Sequence, residues 1–424
     1  MLCGTMQNFT FGFTTIFMAA LAIHLFVRLW LSLRQTSMVL RHRDAVPTEF
    51  ADHISLSEHQ KAADYTLAGA TFGRITLVFN ALLLLGWTLA GGLNQLDQFW
   101  LSFSLISLSP VQTGVAVLLS FMFLGSLLEL PFSIYQTFVL ENRFGFNRTT
   151  LATFIGDLAK EWLLLLVLGA PIIAVVLSLM NRSGDLWWLF VWIFWTGFSL
   201  LLMWAFPTFI APLFNKFLPL EDTSLKARIE NLLNRCGFKS KGIFVMDGSR
   251  RSGHGNAYFT GLGNNKRIVF FDTLIQSLTP DEIEAVLAHE LGHFARKHVF
   301  KRMAGMMIGS LAALALLGWL MKQPSFYQDL GVTIPSSYMA LALFLMISPL
   351  FSVFLQPVLS YFSRKQEFEA DDFAKQNARA SDLVHALVKL YKENASTLTP
   401  DPLYSAFHDS HPPAPIRIAH LQAQ

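Results

Sequence analysis

Charge is what this chain has least of. Asp, Glu, Lys and Arg make up 14% of its 424 residues, against about 25% in an ordinary soluble domain. With 39 Phe and 10 Trp to cover, so little polar surface excludes a string of soluble domains, which the length alone would permit. Part of the solvent must be lipid. An excess of one charge sign is also missing: the net charge is +3 and the basic residues are scattered through short loops, leaving no footprint for nucleic acid. Cysteine is nearly absent. Cys3 and Cys236 cannot build a disulfide framework and neither sits in a Cys-x-x-Cys pair, so thiol redox chemistry and cysteine-held zinc drop out. There is no internal repeat or low-complexity tract.

What is present is apolar runs. A span needs about 20 mostly apolar residues to cross the hydrocarbon, and seven stretches qualify, near 11–30, 75–94, 115–140, 162–180, 187–206, 303–321 and 337–362. The expected organisation is spans one to five with their loops over 1–205, a polar, glycine-rich insert over 206–302, spans six and seven over 303–362, and a polar C-terminal segment over 363–424. Lys and Arg crowd the loops between spans one and two (Arg34, Arg41, Arg43, Lys61) and three and four (Arg143, Arg148, Lys160). That bias predicts an outside N-terminal tail and a cytoplasmic insert and C-terminus. The first ten residues lack a basic region, so the first run reads as a retained span, not a cleaved signal.

Chemistry concentrates in the insert. Thr279-Pro280-Asp281-Glu282 has an N-cap, a proline at the first helical position and a glutamate three residues after the cap, ahead of apolar residues at Ile283, Val286, Leu287 and Leu291; this is a helix start. The helix should run through His289-Glu290-Leu291-Gly292-His293 and on toward span six. Histidines four apart share a helix face and can reach one ion, while Glu290 can turn toward a water there. By chance such a pattern would arise in about 2% of chains this long.

Catalytic zinc needs a third protein ligand. A distal Gly and His at 296 and 299 are excluded, since those positions hold Arg296 and Val299. The remaining common solution is a downstream glutamate on a second helix, and the stretch from Tyr361 to Ala374 reads as one. Glu367 and Asp371 stand four apart there. Glu367 is the candidate third ligand, with Asp371 accepting the free ring N–H of a ligating histidine. Glu369 points to the other side of that helix, a weaker candidate, and His298 falls on a different face from the two motif histidines and reads as non-ligating. Glu129, a carboxylate inside span three, either lines wet space or has a function of its own.

His289-Glu-Leu-Gly-His293 followed by Ser363-Arg-x-x-Glu367-Phe-x-Ala-Asp371 resembles the M48 metalloendopeptidases. With Glu141-Asn-Arg-Phe-Gly-Phe-Asn147, Asn256-Ala-Tyr-Phe259, Lys266-Arg-Ile-Val-Phe-Phe-Asp272 and Ser410-His411-Pro412 with Arg417, the likeness narrows to the Ste24 type, the type I CAAX prenyl proteases. The resemblance implies a mostly α, multi-pass membrane protein whose seven helices enclose a chamber, with a gluzincin-like protease domain of small sheet plus helices. It implies one Zn2+ per chain held by His289, His293 and Glu367, Glu290 as general base, and His411 and Arg417 at the developing oxyanion. It also implies that Asn256, Ala257, Tyr258 and Phe259 form an edge strand that pairs with substrate. The bland reading of that strand is one arm of a hairpin before the turn 261–265.

The implied partners are a peptide or lipidated protein substrate and membrane lipid, in a monomer. Three readings compete: processing of prenylated CAAX substrates, membrane protein quality control without a lipid requirement, and a non-catalytic seven-span transporter or receptor. An inactive scaffold is disfavoured by the complete ligand and base set. The short 322–336 connection and the lack of an ER-retrieval tail point to a bacterial inner membrane over the endoplasmic reticulum, with the site facing the cytoplasm or an internal chamber.

Overall fold

The computed structural model describes residues 12–102, 108–260 and 267–423; Cys3, Lys266 and the turn 261–265 lie outside them. Among the described residues, seven helices are long and apolar enough to cross a membrane: Phe13–His42, Leu56–Trp87, Pro110–Phe144, Leu151–Arg182, Gly184–Phe214, His298–Leu320 and Ser337–Asn377. Each overlaps one of the seven apolar stretches. The bounds differ because hydropathy marks only the part that meets hydrocarbon, whereas a capped helix continues into water. Span two starts at Leu56, where Ser55 and Glu58 close a capping box, and ends at Trp87, short of 94, ahead of a turn in which Gly91 takes φ +78°. Span seven is one unbroken helix of 41 residues, about 60 Å long, so its polar end and the 361–374 helix are a single element.

The spans do not make a solid bundle. In span two only 6% of the most apolar window is buried, against 44% in span seven. A cavity of about 550 Å³ is lined by Asn80, Glu129, Ser133, Gln136, Glu141 and Asn394. A second, of about 490 Å³, shares Asn80 and Glu129 and adds His24. Polar side chains at membrane depth are tolerated where they face such water-filled space, so the helices enclose a chamber and Glu129 lines it.

One end of the helix set gathers the polar chain. Arg34 pairs with Asp401 at 2.9 Å, Glu58 with Lys392 at 2.9 Å and Asp157 with Arg251 at 2.7 Å, tying the polar ends of the span-one, span-two and span-four helices to the insert and the C-terminal segment. Four strands form the insert's sheet: β1 (Phe217–Pro219), β2 (Ile243–Met246), β3 (Ala257–Thr260) and β4 (Arg267–Phe271), in the order β1-β2-β4-β3. β3 is therefore an edge strand, antiparallel to β4, with Tyr258 opposite Val269. Ile268 and Phe270 of β4 share a core with Ile229, Leu232, Ile283, Leu287 and Leu291, all buried.

Candidate metal centre

Thr279 and Glu282 close the expected capping box at the start of helix Pro280–Ala295. The backbone N–H of Thr279 donates to Glu282 Oε2 at 2.7 Å, and Lys389 pairs with the same oxygen at 2.7 Å. Ile283, Leu287 and Leu291 turn one face of this helix into the core. His289, Glu290 and His293 are left on the face that meets the polar end of span seven.

That contact is close because position 292 has no side chain. A Cβ on Gly292 would stand 2.9 Å from Ala370 Cα, 3.0 Å from its carbonyl oxygen and 3.0 Å from Phe373 Cβ. Backbone cannot swing aside as a side-chain tip can. Gly292→Ala is expected to push the helices apart, with an overpacking cost of about 1–3 kcal/mol and weaker metal retention. A chelator titration in which the variant matches wild type would refute this.

Three donor atoms converge where the helices touch. His289 Nε2 and His293 Nε2 are 3.3 Å apart, His289 Nε2 is 3.3 Å from Glu367 Oε2 and His293 Nε2 is 3.4 Å from Glu367 Oε1. Tetrahedral ligands with zinc–nitrogen bonds of 2.0–2.1 Å lie about 3.3–3.4 Å from one another. The separations fit such an ion, and among the described residues this is the one group of its kind. Glu367 is 1% exposed, so the carboxylate is committed to this cleft.

The two rings sit in different electrostatic surroundings. Burial first and the neighbouring His289 second push the His293 ring down to about 3, which keeps it neutral with a lone pair to give. Burial opposes the charged form of His289 too, but hydrogen bonds to Asp371 and Glu367 win and raise it to about 9.

Sequence comparison agrees with this geometry. Residues 219–424 match the model of peptidase family M48, and residues 35–216 that described as CAAX prenyl protease N-terminal, five membrane helices. The "CAAX prenyl protease 1 homolog" of Arabidopsis thaliana is 41% identical over 70% of either chain. The protein of the same name from Homo sapiens is 31% identical over 96% of this chain and 95% of its own. The chain belongs to peptidase family M48, in its Ste24 branch. The crystal structure of S. mikatae Ste24p superposes with a TM-score of 0.90 at 32% identity, covering 96% of this chain and 98% of the other, so the chamber-enclosing fold is shared from end to end.

In this membrane metalloendopeptidase the remaining site residues group around the three donors. Asp371, fully buried, accepts from His289 Nδ1 at 2.8 Å. Arg417, on the C-terminal helix Ala414–Gln422, forks that same carboxylate, with Nε donating to Oδ2 at 2.9 Å and Nη2 to Oδ1. Its third nitrogen, Nη1, is 3.9 Å from Glu367 Oε2. His411 Nδ1 meets the same Glu367 oxygen at 2.7 Å while 61% of its side chain stays exposed. Burial, and after it the charge of Glu367, pushes the Glu290 carboxyl above its ordinary value, against the pull of His289, His411 and Arg417. Asn256 leads into β3, one of the sheet's two edge strands among the described residues.

His298 and Glu369 lie outside the donor group but adjoin it. The motif helix does not continue into span six: it ends at Ala295, Lys297 takes a left-handed φ of +57°, and a new helix begins at His298. The break turns the His298 ring back onto His293, Nδ1 to Nδ1 at 3.0 Å, and its Nε2 meets Glu369 Oε2 at 3.0 Å.

Proposed function

We propose that this chain is a zinc endopeptidase that cleaves prenylated, CAAX-type peptides delivered from the membrane. The observation that carries the reading is the triangle of His289, His293 and Glu367 donors at 3.3–3.4 Å, built from two helices and closed beside a half-buried glutamate. Zinc, when bound, supplies the Lewis acid that polarises a carbonyl and acidifies water at neutral pH. The chain's own residues do the rest. Glu290 takes the proton of the attacking water and passes it to the leaving amine; its raised pKa brings it nearer the working pH of a general base. His411 and Arg417, both beside Glu367, would stabilise the charge that develops on the carbonyl oxygen. β3 offers unpaired backbone groups to an extended peptide, which can add as another strand.

A chamber open to lipid suits a substrate with an apolar tail, because drawing such a chain into water costs about 0.8 kcal/mol per CH₂. The eukaryotic relatives weigh toward the endoplasmic reticulum over the bacterial inner membrane, and the Lys/Arg-rich loops on the protease side weigh toward a cytoplasmic active site. The test uses detergent-purified protein with a farnesylated CAAX peptide and its unlipidated twin. The farnesylated peptide is expected to be cleaved faster, chelator to stop the reaction, and added zinc to restore it. Equal rates on the two peptides would favour quality-control proteolysis; indifference to chelator would overturn the assignment.

A further inference from the structure

We infer that His298 and Glu369 are positioning residues for His293, a carboxylate–imidazole relay that fixes which nitrogen of His293 faces the metal. The inference rests on the metal reading above. His289 has its orienting partner in Asp371, one carboxylate away. His293 has none directly: its Nδ1 is 3.0 Å from a second ring nitrogen, His298 Nδ1, and only beyond that ring is there a carboxylate, Glu369 at 3.0 Å. His298 is 1% exposed, so its ring is held in place by packing.

The proton inventory allows one arrangement. To ligate through Nε2, His293 must carry its proton on Nδ1. That proton needs an acceptor, and the nitrogen facing it is His298 Nδ1, which accepts only if the proton of His298 is on Nε2. A proton on His298 Nε2 needs an acceptor in turn, and Glu369 Oε2 is there. With the Glu369 carboxylate removed, a proton on His298 Nδ1 becomes competitive. It would face the His293 Nδ1 proton head-on or shift it to Nε2, where it occupies the lone pair meant for the ion. Groups that orient a ligating histidine are worth about 10–100-fold in metal affinity.

The left-handed Lys297 belongs to this device. A non-glycine residue at φ +57° is uncommon and is retained where surrounding structure demands it. Here it reverses the side on which His298 falls. In a helix running on unbroken, a residue five positions after His293 would point away from it.

The test is zinc competition against a chelator on full-length protein, for wild type, His298→Ala, Glu369→Ala and Glu369→Gln, with the apparent Tm of each metal-free protein measured alongside. His298→Ala is expected to weaken zinc binding by about 10–100-fold and Glu369→Ala by several-fold. Glu369→Gln, whose amide oxygen still accepts from Nε2–H, should restore most of the affinity. The metal-free Tm of the Glu369 variants should stay at the wild-type value. Glu369 is only half-buried, so its variants decide the matter if His298→Ala does not fold. The relay is overturned if both alanine variants hold zinc as tightly as wild type, or if Glu369→Gln is as weak as Glu369→Ala. A metal-free Tm that falls in step with affinity would overturn it too. Wild type unable to bind zinc would instead overturn the metal reading itself, a distinguishable result.

Discussion

Glu290→Gln is expected to lower peptide cleavage by about 10²–10⁴-fold while the zinc content stays that of wild type. Glutamine keeps the shape of the side chain and cannot accept a proton, so the substitution removes one function and little else. The separation of chemistry from metal binding follows from the geometry. The donors that converge are His289 Nε2, His293 Nε2 and the Glu367 carboxylate, and Glu290 is not among them, although it follows His289 directly. A helix advances about 100° per residue, so Glu290 is turned from the line joining the two histidines and faces the cleft beside them. Metal analysis and steady-state kinetics on one preparation check the prediction. A variant that cleaves at the wild-type rate removes Glu290 from the mechanism, and one that loses zinc makes it a structural part of the site.

Much of this was legible in the sequence because it rests on local signals. Thr279, Pro280 and Glu282 announce a helix start through short-range hydrogen bonding, and the cap forms as read. The seven apolar runs identify the spans because lipid admits few alternatives. Their ends were less legible, since nothing in a hydropathy window says where a helix leaves hydrocarbon and carries on into water, as Ser337–Asn377 does. Glu367 could be proposed from its spacing to Asp371 on a helix, but what brings that helix within reach is Gly292 lying against Ala370, a contact between residues 78 positions apart. His298 stays outside the donor group, as its spacing suggests, but its ring meets His293 for a local reason the sequence does not show. The wheel that set it on another face assumed an unbroken helix, and Lys297, with no glycine or proline to flag it, breaks that helix.

Arg417→Ala is expected to destabilise the protease domain by about 3–5 kcal/mol, seen as a fall in apparent Tm on the order of 10 °C, and to weaken zinc binding with it. Arg417 is 6% exposed and Asp371 is fully buried, and the guanidinium spends two of its three nitrogens on that carboxylate. Removing it leaves the buried Asp371 carboxylate without its guanidinium, and Asp371 is what holds the His289 proton on Nδ1. The loss therefore runs from Arg417 through Asp371 to the ligand. Arg417→Lys separates this from a role at the reacting carbonyl: lysine keeps the charge but cannot make the planar fork. Bracing predicts that Lys loses stability and metal nearly as Ala does. Charge stabilisation alone predicts that Lys keeps both and loses only part of kcat. Because the fork is complete and only Nη1 is left over, 3.9 Å from Glu367, the expected order is metal affinity and Tm first, with kcat per zinc-loaded enzyme falling less. His411→Ala should show the reverse, a large fall in kcat with stability and metal largely kept, since its ring is mostly exposed and Glu367, which it meets, is held by burial on the span-seven helix.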